Sequence, residues 1–145
     1  MNTNVKVALA VVVALLVAFG GGWLWAASGR WQSERALQAA ELRSELLEGR
    51  NRLLDARLSV YDLNFGDASR HFEDAKGLLR RAEERLKALR RDDDVKRLDS
   101  AVTTIDDAQR MAGTLDQAAN RRAGEAAQTV SEVLKREPAR SVLYE

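Results

Sequence analysis

The chain reads as an all-α protein, a single N-terminal transmembrane helix followed by an antiparallel three-helix coiled bundle, with a four-helix bundle as the alternative. Three observations lead there. Val7–Gly29 carries no charged side chain. Beyond Arg30 the chain is densely charged, and its apolar residues recur at alternating steps of three and four. Helix breakers are sparse in that body, where the one proline is Pro138 and the glycines are few.

About 23 uncharged residues cover about 35 Å as a helix, enough for a ~30 Å hydrocarbon core with some tilt. Trp23, Trp25 and Trp31 suit the headgroup boundary. The run exceeds the apolar core of a cleavable signal peptide, and two tryptophans crowd the small residues Ala26-Ala27-Ser28 where cleavage would fall. Residues 1–29 are therefore expected to be a retained signal anchor. Within it Ala10, Ala14, Ala18, Gly22 and Ala26 recur every four residues, a smooth stripe that forms a candidate transmembrane dimer face.

The cues to orientation pull apart. Lys6 precedes the run, whereas Arg30, Arg35 and Arg43 follow it, which leans towards a cytoplasmic body. A short N-terminal tail before a long domain is the usual arrangement of an anchor that exports its C-terminus, and this reading is favoured. The preference for Arg over Lys and the abundance of Ala fit a GC-rich bacterial genome. The expected location is a bacterial inner membrane, crossed once, with the helical body in the periplasm.

The body, residues 30–137, divides into helices at about 31–63, 68–91 and 94–136, with 138–145 as a flexible tail. Leu42, Leu46, Gly49, Leu53, Ala56, Val60 and Leu63 alternate steps of four and three, as do Ala68, Phe72, Ala75, Leu79, Ala82, Leu86 and Leu89. That spacing is the seam of a coiled coil or bundle helix. The phase slips between them at Asn64-Phe65-Gly66-Asp67. There Gly66 is expected to take the left-handed conformation and Asp67 to cap the second helix, giving a hairpin of near-equal arms.

Arg90-Arg91 followed by Asp92-Asp93-Asp94 matches the dipoles of a helix end and a helix start. The third helix opens on Val95, Leu98, Val102 and Ile105, then shifts phase through Ala108 and Ala112. Thr114 and Gln117 offer a capping box that would split it into two arms. The stripe nevertheless runs through Gly113, which favours one long helix overhanging the hairpin. On that reading Ala112, Leu115, Ala119, Ala123, Ala126, Val130 and Val133 form an exposed candidate partner face.

Composition excludes several chemistries. Setting Lys6 aside leaves 22 basic residues against 22 acidic ones beyond the anchor, so nothing draws the body to nucleic acid. There is no cysteine, hence no disulfide, thiolate metal site or thiol nucleophile. The only histidine, His71, has no partner at metal-ligand spacing, and the Asp92-Asp93-Asp94 run lacks the glycine turn and distal glutamate of a calcium loop. The expectation is a protein that is not an enzyme, with no catalytic residues, cofactor, metal or small-molecule substrate. Tyr61, Phe65 and Phe72 gather at the first turn with His71, either closing the core there or forming a candidate tip contact.

These observations together imply a membrane-tethered helical scaffold or adaptor that recruits a protein partner, or a second copy, through an apolar helix face. Its partners would be the lipid bilayer and protein. The alternative is a helical sensory or ligand-binding bundle acting through an associated membrane protein.

Overall fold

A computed structural model describes residues 33–137. The chain divides into two compact units, Met1–Gln38 and Ala39–Glu145, and the fold set out below is that of the second. Val7–Gly29 and the stripe Ala10, Ala14, Ala18, Gly22 and Ala26 lie outside the described residues, as does the tail 138–145. Among the described residues the structure is all-helical. Helix α1 covers residues 33–61, α2 Phe65–Ala88, α3 Asp92–Gly113 and α4 Ala118–Lys135.

The helices run up, down, up and down. Cross-helix contacts pair 45 with 85, 76 with 106, 97 with 132 and 50 with 131. Each helix thus has two antiparallel neighbours, and α4 closes the ring against α1. The predicted single helix over 94–136 does not form, and the four-helix alternative is the one observed. Folding back at Thr114 puts the alanine-rich stripe against α1 and α3, whereas an overhang would leave it in water.

All four seams have the same 4-3-4-3-4 spacing. In α1 it runs Leu42, Leu46, Gly49, Leu53, Ala56, Val60, and in α2 Ala68, Phe72, Ala75, Leu79, Ala82, Leu86. These match the spacing read from sequence, except that Leu63 and Leu89 at the ends are exposed. In α3 the seam is Asp94, Leu98, Ala101, Ile105, Ala108, Ala112, and in α4 Ala119, Ala123, Ala126, Val130, Val133, then Glu137 just beyond the helix. The expected phase shift in α3 is therefore absent. Val95 and Val102 flank the seam, half-buried, and Asp94 and Ala101 occupy it.

Taken in antiparallel order the seams stack into six layers. One end layer holds Leu42, Leu86, Asp94 and Glu137, and the opposite one Val60, Ala68, Ala112 and Ala119. Between them large and small residues compensate. Phe72 lies level with Ala56, Ala108 and Ala123, and Leu79 with Gly49. A Cβ placed on Gly49 would lie 2.9 Å from Leu79 Cδ2, so this layer is filled by a leucine reaching over a glycine.

The three turns are copies of one motif. Leu63, Arg90 and Leu115 each adopt positive φ, at 59°, 56° and 58°. In each turn the next N–H returns to the carbonyl five residues back: Asn64 to Ser59, Arg91 to Leu86 and Asp116 to Met111. The left-handed residue itself donates to the carbonyl three back, at Val60, Lys87 and Ala112. This is the Schellman closure, made here without glycine. Gly66 consequently is not the left-handed residue, and Asp67 is not the cap. The Asn64 carboxamide oxygen accepts from the Asp67 N–H at 3.3 Å and caps α2, while Gly66 sits in its first turn. At the third turn Thr114 does not form the capping box. Its hydroxyl donates back to the Met111 carbonyl, and the Asp116 carboxylate accepts from the Ala118 N–H at the start of α4.

Candidate interaction surface

Each side of the bundle is fastened by polar contacts between neighbouring helices. Between α1 and α2, Arg85 donates to Glu45 at 2.9 Å and pairs with Glu41 at 2.7 Å. Between α2 and α3, the Lys76 ammonium uses three donors at once, on Glu73 at 2.8 Å, Asp106 at 2.9 Å and the Gln109 carboxamide oxygen at 2.8 Å. The Gln109 amide in turn donates to Ser69 and Glu73. Burial is the largest influence on Lys76 and pulls its pKa down, but the Glu73 and Asp106 carboxylates outweigh it and hold the pKa above the ordinary lysine value. Glu73 is held below the usual glutamate value by hydrogen bonds from Lys76 and then Gln109.

Between α1 and α4, Arg50 Nε donates to Ser131 Oγ at 2.9 Å. About two turns further along α1, Asn120 accepts from Arg57 Nε at 3.2 Å and donates to the Arg57 carbonyl at 2.9 Å. The Arg57 guanidinium lies across Gly124, where a Cβ would meet it at 3.3 Å.

The α3–α4 clasp is built into an end layer of the core. Arg91 donates to Asp94 Oδ2 through Nε at 2.9 Å and Nη2 at 2.6 Å, and also to the Glu137 carboxylate. Arg136 reaches Asp94 Oδ1 at 3.3 Å. Asp94 and Glu137 are both buried, so the two arginines neutralise carboxylates that stand at apolar seam positions. An open polar cleft of about 410 Å³ lies beside them, lined by Arg90–Asp94 and Arg136. Among the described residues no group of three acids, histidines or cysteines is placed to hold a metal ion.

The candidate partner face is inside the molecule. Ala112, Ala119, Ala123, Ala126, Val130 and Val133 are fully buried in the core, and only Leu115 is exposed, as the left-handed residue of the third turn. That correction follows from the fourth arm: the stripe meets α1 and α3 of its own chain. The candidate tip residues separate. Phe72 is fully buried, Phe65 packs against the core, and Tyr61 stands in solvent at 76% exposure. His71 is half-buried at the start of α2, and its Nδ1 has no hydrogen-bond partner among the described residues.

The apolar surface that remains belongs largely to α1. Leu47, Leu54, Leu58 and Tyr61 are exposed, at 39%, 37%, 61% and 76%. Their spacing, with Asn51 filling the gap, is again alternating three and four, on the face opposite the inner seam. Helix α1 therefore carries two apolar stripes, one inside the bundle and one outside it. Sequence reading finds the first and stops there, although the second has the same spacing. Among known proteins, no family model, curated protein or solved structure matches the chain.

Proposed function

We propose that the protein is a membrane-tethered helical scaffold: residues 1–29 anchor it, the four-helix body holds its surfaces at a set place, and an apolar helix face recruits protein. The observation that carries the reading is the junction in one short chain of an uncharged run, Val7–Gly29, with a body whose formal charges cancel. A closed bundle suits the role because its core needs no partner, which leaves the outer face of α1 free to take one. The body would lie in the periplasm of a bacterium, on the outer side of the inner membrane. Among the described residues no helix is long and apolar enough to cross a membrane, so the tether rests on the N-terminal run alone.

Two measurements on the full chain in bacterial cells test this. The protein should stay with the membrane pellet through an alkaline carbonate wash, and release into the supernatant overturns the tether. Cross-linking in membranes followed by mass spectrometry should return protein neighbours on α1. If instead a small molecule raises the melting temperature by several degrees while no neighbour is captured, the scaffold gives way to the ligand-binding alternative.

A further inference from the structure

The outer stripe of α1 has the features of a second coiled-coil seam. With Asn51 assigned to heptad position a, Ser44, Asn51 and Leu58 are a residues and Leu47, Leu54 and Tyr61 are d residues. All six are solvent-exposed. Leucine at two of the three d positions and a single asparagine at a favour two parallel strands, because the asparagine meets its own copy across the seam and fixes the register.

The flanking charges point the same way. The g positions are Arg43, Arg50 and Arg57, and the e positions five residues later are Glu48, Asp55 and Asp62. In a parallel in-register pair each g residue faces the following e residue of the other strand, so all three arginines meet acids, on both sides of the seam. An antiparallel pair would set arginine against arginine and acid against acid. Arg50 and Arg57 engage Ser131 and Asn120 of α4 through Nε, and their Nη groups make no hydrogen bond among the described residues. The stripe spans about three heptads, enough for a short coiled coil when a shared membrane raises the local concentration.

We infer that the protein pairs with a second copy of itself, α1 against α1, parallel and in register, through Leu47, Asn51, Leu54, Leu58 and Tyr61. This rests on the reading of the body as an interaction scaffold and names the face and its occupant. It does not use the small-residue stripe of residues 10–26.

The chain lacks cysteine, so single cysteines report cleanly. Leu47→Cys, Leu54→Cys and Leu58→Cys are introduced one at a time into the full chain in native membranes, with Arg70→Cys and Arg110→Cys as exposed controls on α2 and α3. Mild oxidation should give disulfide dimers at the three stripe positions at least tenfold faster than at the controls. Same-residue bonds at both 47 and 58, eleven residues apart, form only in a parallel in-register pair. Arg43→Glu should slow the Leu54→Cys reaction several-fold, and Arg43→Glu with Glu48→Arg should restore it. Equal rates at stripe and control positions overturn the proposal, as does a bond at only one of 47 and 58. Cross-links from the stripe to a different protein overturn the second copy and leave the scaffold standing. No cross-link of either kind removes both.

Discussion

Leu79 reaches across the core into the space that Gly49 leaves open, so that a Cβ at position 49 would come within 2.9 Å of Leu79 Cδ2. Glycine is a poor helix former, and at an exposed site its replacement by alanine stabilises by about 0.5–1 kcal/mol. Gly77 should behave in that way, since an added Cβ would meet only the Arg81 guanidinium, at 4.0 Å. Gly49→Ala should do the opposite and lose about 1 kcal/mol, because the neighbouring leucine is fully buried and has little room to move. Thermal unfolding of the full chain in detergent, followed by circular dichroism, should show melting shifts of opposite sign.

The same pair offers a test of packing by exchange. Gly49→Leu and Leu79→Ala should each cost about 3 kcal/mol, one by crowding and one by leaving a void. Combined, they move volume from one side of a layer to the other. The double variant should be more stable than the sum of the two losses by more than about 1 kcal/mol, and strict additivity would show that the two side chains do not share one space.

The turns predict a gain in stability. A side chain in the left-handed region costs about 1–2 kcal/mol, offset in part by the extra chain entropy that glycine brings to the unfolded state. Leu63→Gly, Arg90→Gly and Leu115→Gly should each stabilise by about 0.5–1 kcal/mol, since all three side chains are largely exposed. The three sites are in separate turns, so the gains should add. A loss at any of them would mean that the exposed side chain makes a contact worth more than the strain.

The α2–α3 clasp predicts a pH dependence with a definite sign. The Lys76 pKa is raised above its ordinary 10.5, so its contribution is complete below that value and is lost as pH climbs through the higher folded pKa. Glu73 is lowered from its ordinary 4.5, so its contribution is present above that value and is lost as pH falls through the lower folded pKa. Lys76→Met keeps the buried stem and removes the charge. It should destabilise by about 1 kcal/mol at neutral pH, with Glu73 and Asp106 half-solvated and the pair discounted accordingly. Denaturant titrations should show the gap between the two proteins closing below pH 4.5.

The acid layer should be the most sensitive to loss of its cation. Arg91→Ala leaves Asp94 with Arg136 and takes from buried Glu137 its cation, and it should cost about 3 kcal/mol. Adding Glu137→Gln removes one of the two charges and should recover about 1 kcal/mol or more. A further loss in the double variant would show that the glutamate is stabilising without Arg91.

Much of the bundle is legible in the spacing of its apolar residues. The inner seams of α1 and α2 are read correctly from Leu42 to Val60 and from Ala68 to Leu86, because every position is apolar or glycine. The α3 seam is misread at its start because Asp94 carries a charge, and Val95 beside it looks like the better core residue. The α4 seam is recognised but given to solvent, since the apolar stripe running through Gly113 outweighs the turn signal that Thr114 and Gln117 offer. The residue that makes the turn is Leu115, a type that rarely adopts positive φ. The first turn is located from sequence but its left-handed residue is misassigned, because Gly66 is the conformationally free residue and Leu63 does the turning. Lys76 escapes notice because its burial depends on three partners spread over two helices.

Four seams with one spacing pose a problem that the end layer resolves. If α4 slid along its neighbours by seven residues, it would still fill four of the six layers, its alanines and valines meeting much the same company as before, and two layers would lose their α4 residue. Glu137, however, would then stand level with Leu79 and Gly49, in the dry middle of the core and two turns from Arg91. Asp94 would keep its arginine on one side and lose Arg136 on the other. The two carboxylates thus act as an index mark along the axis: they tell otherwise interchangeable turns of helix where to stop.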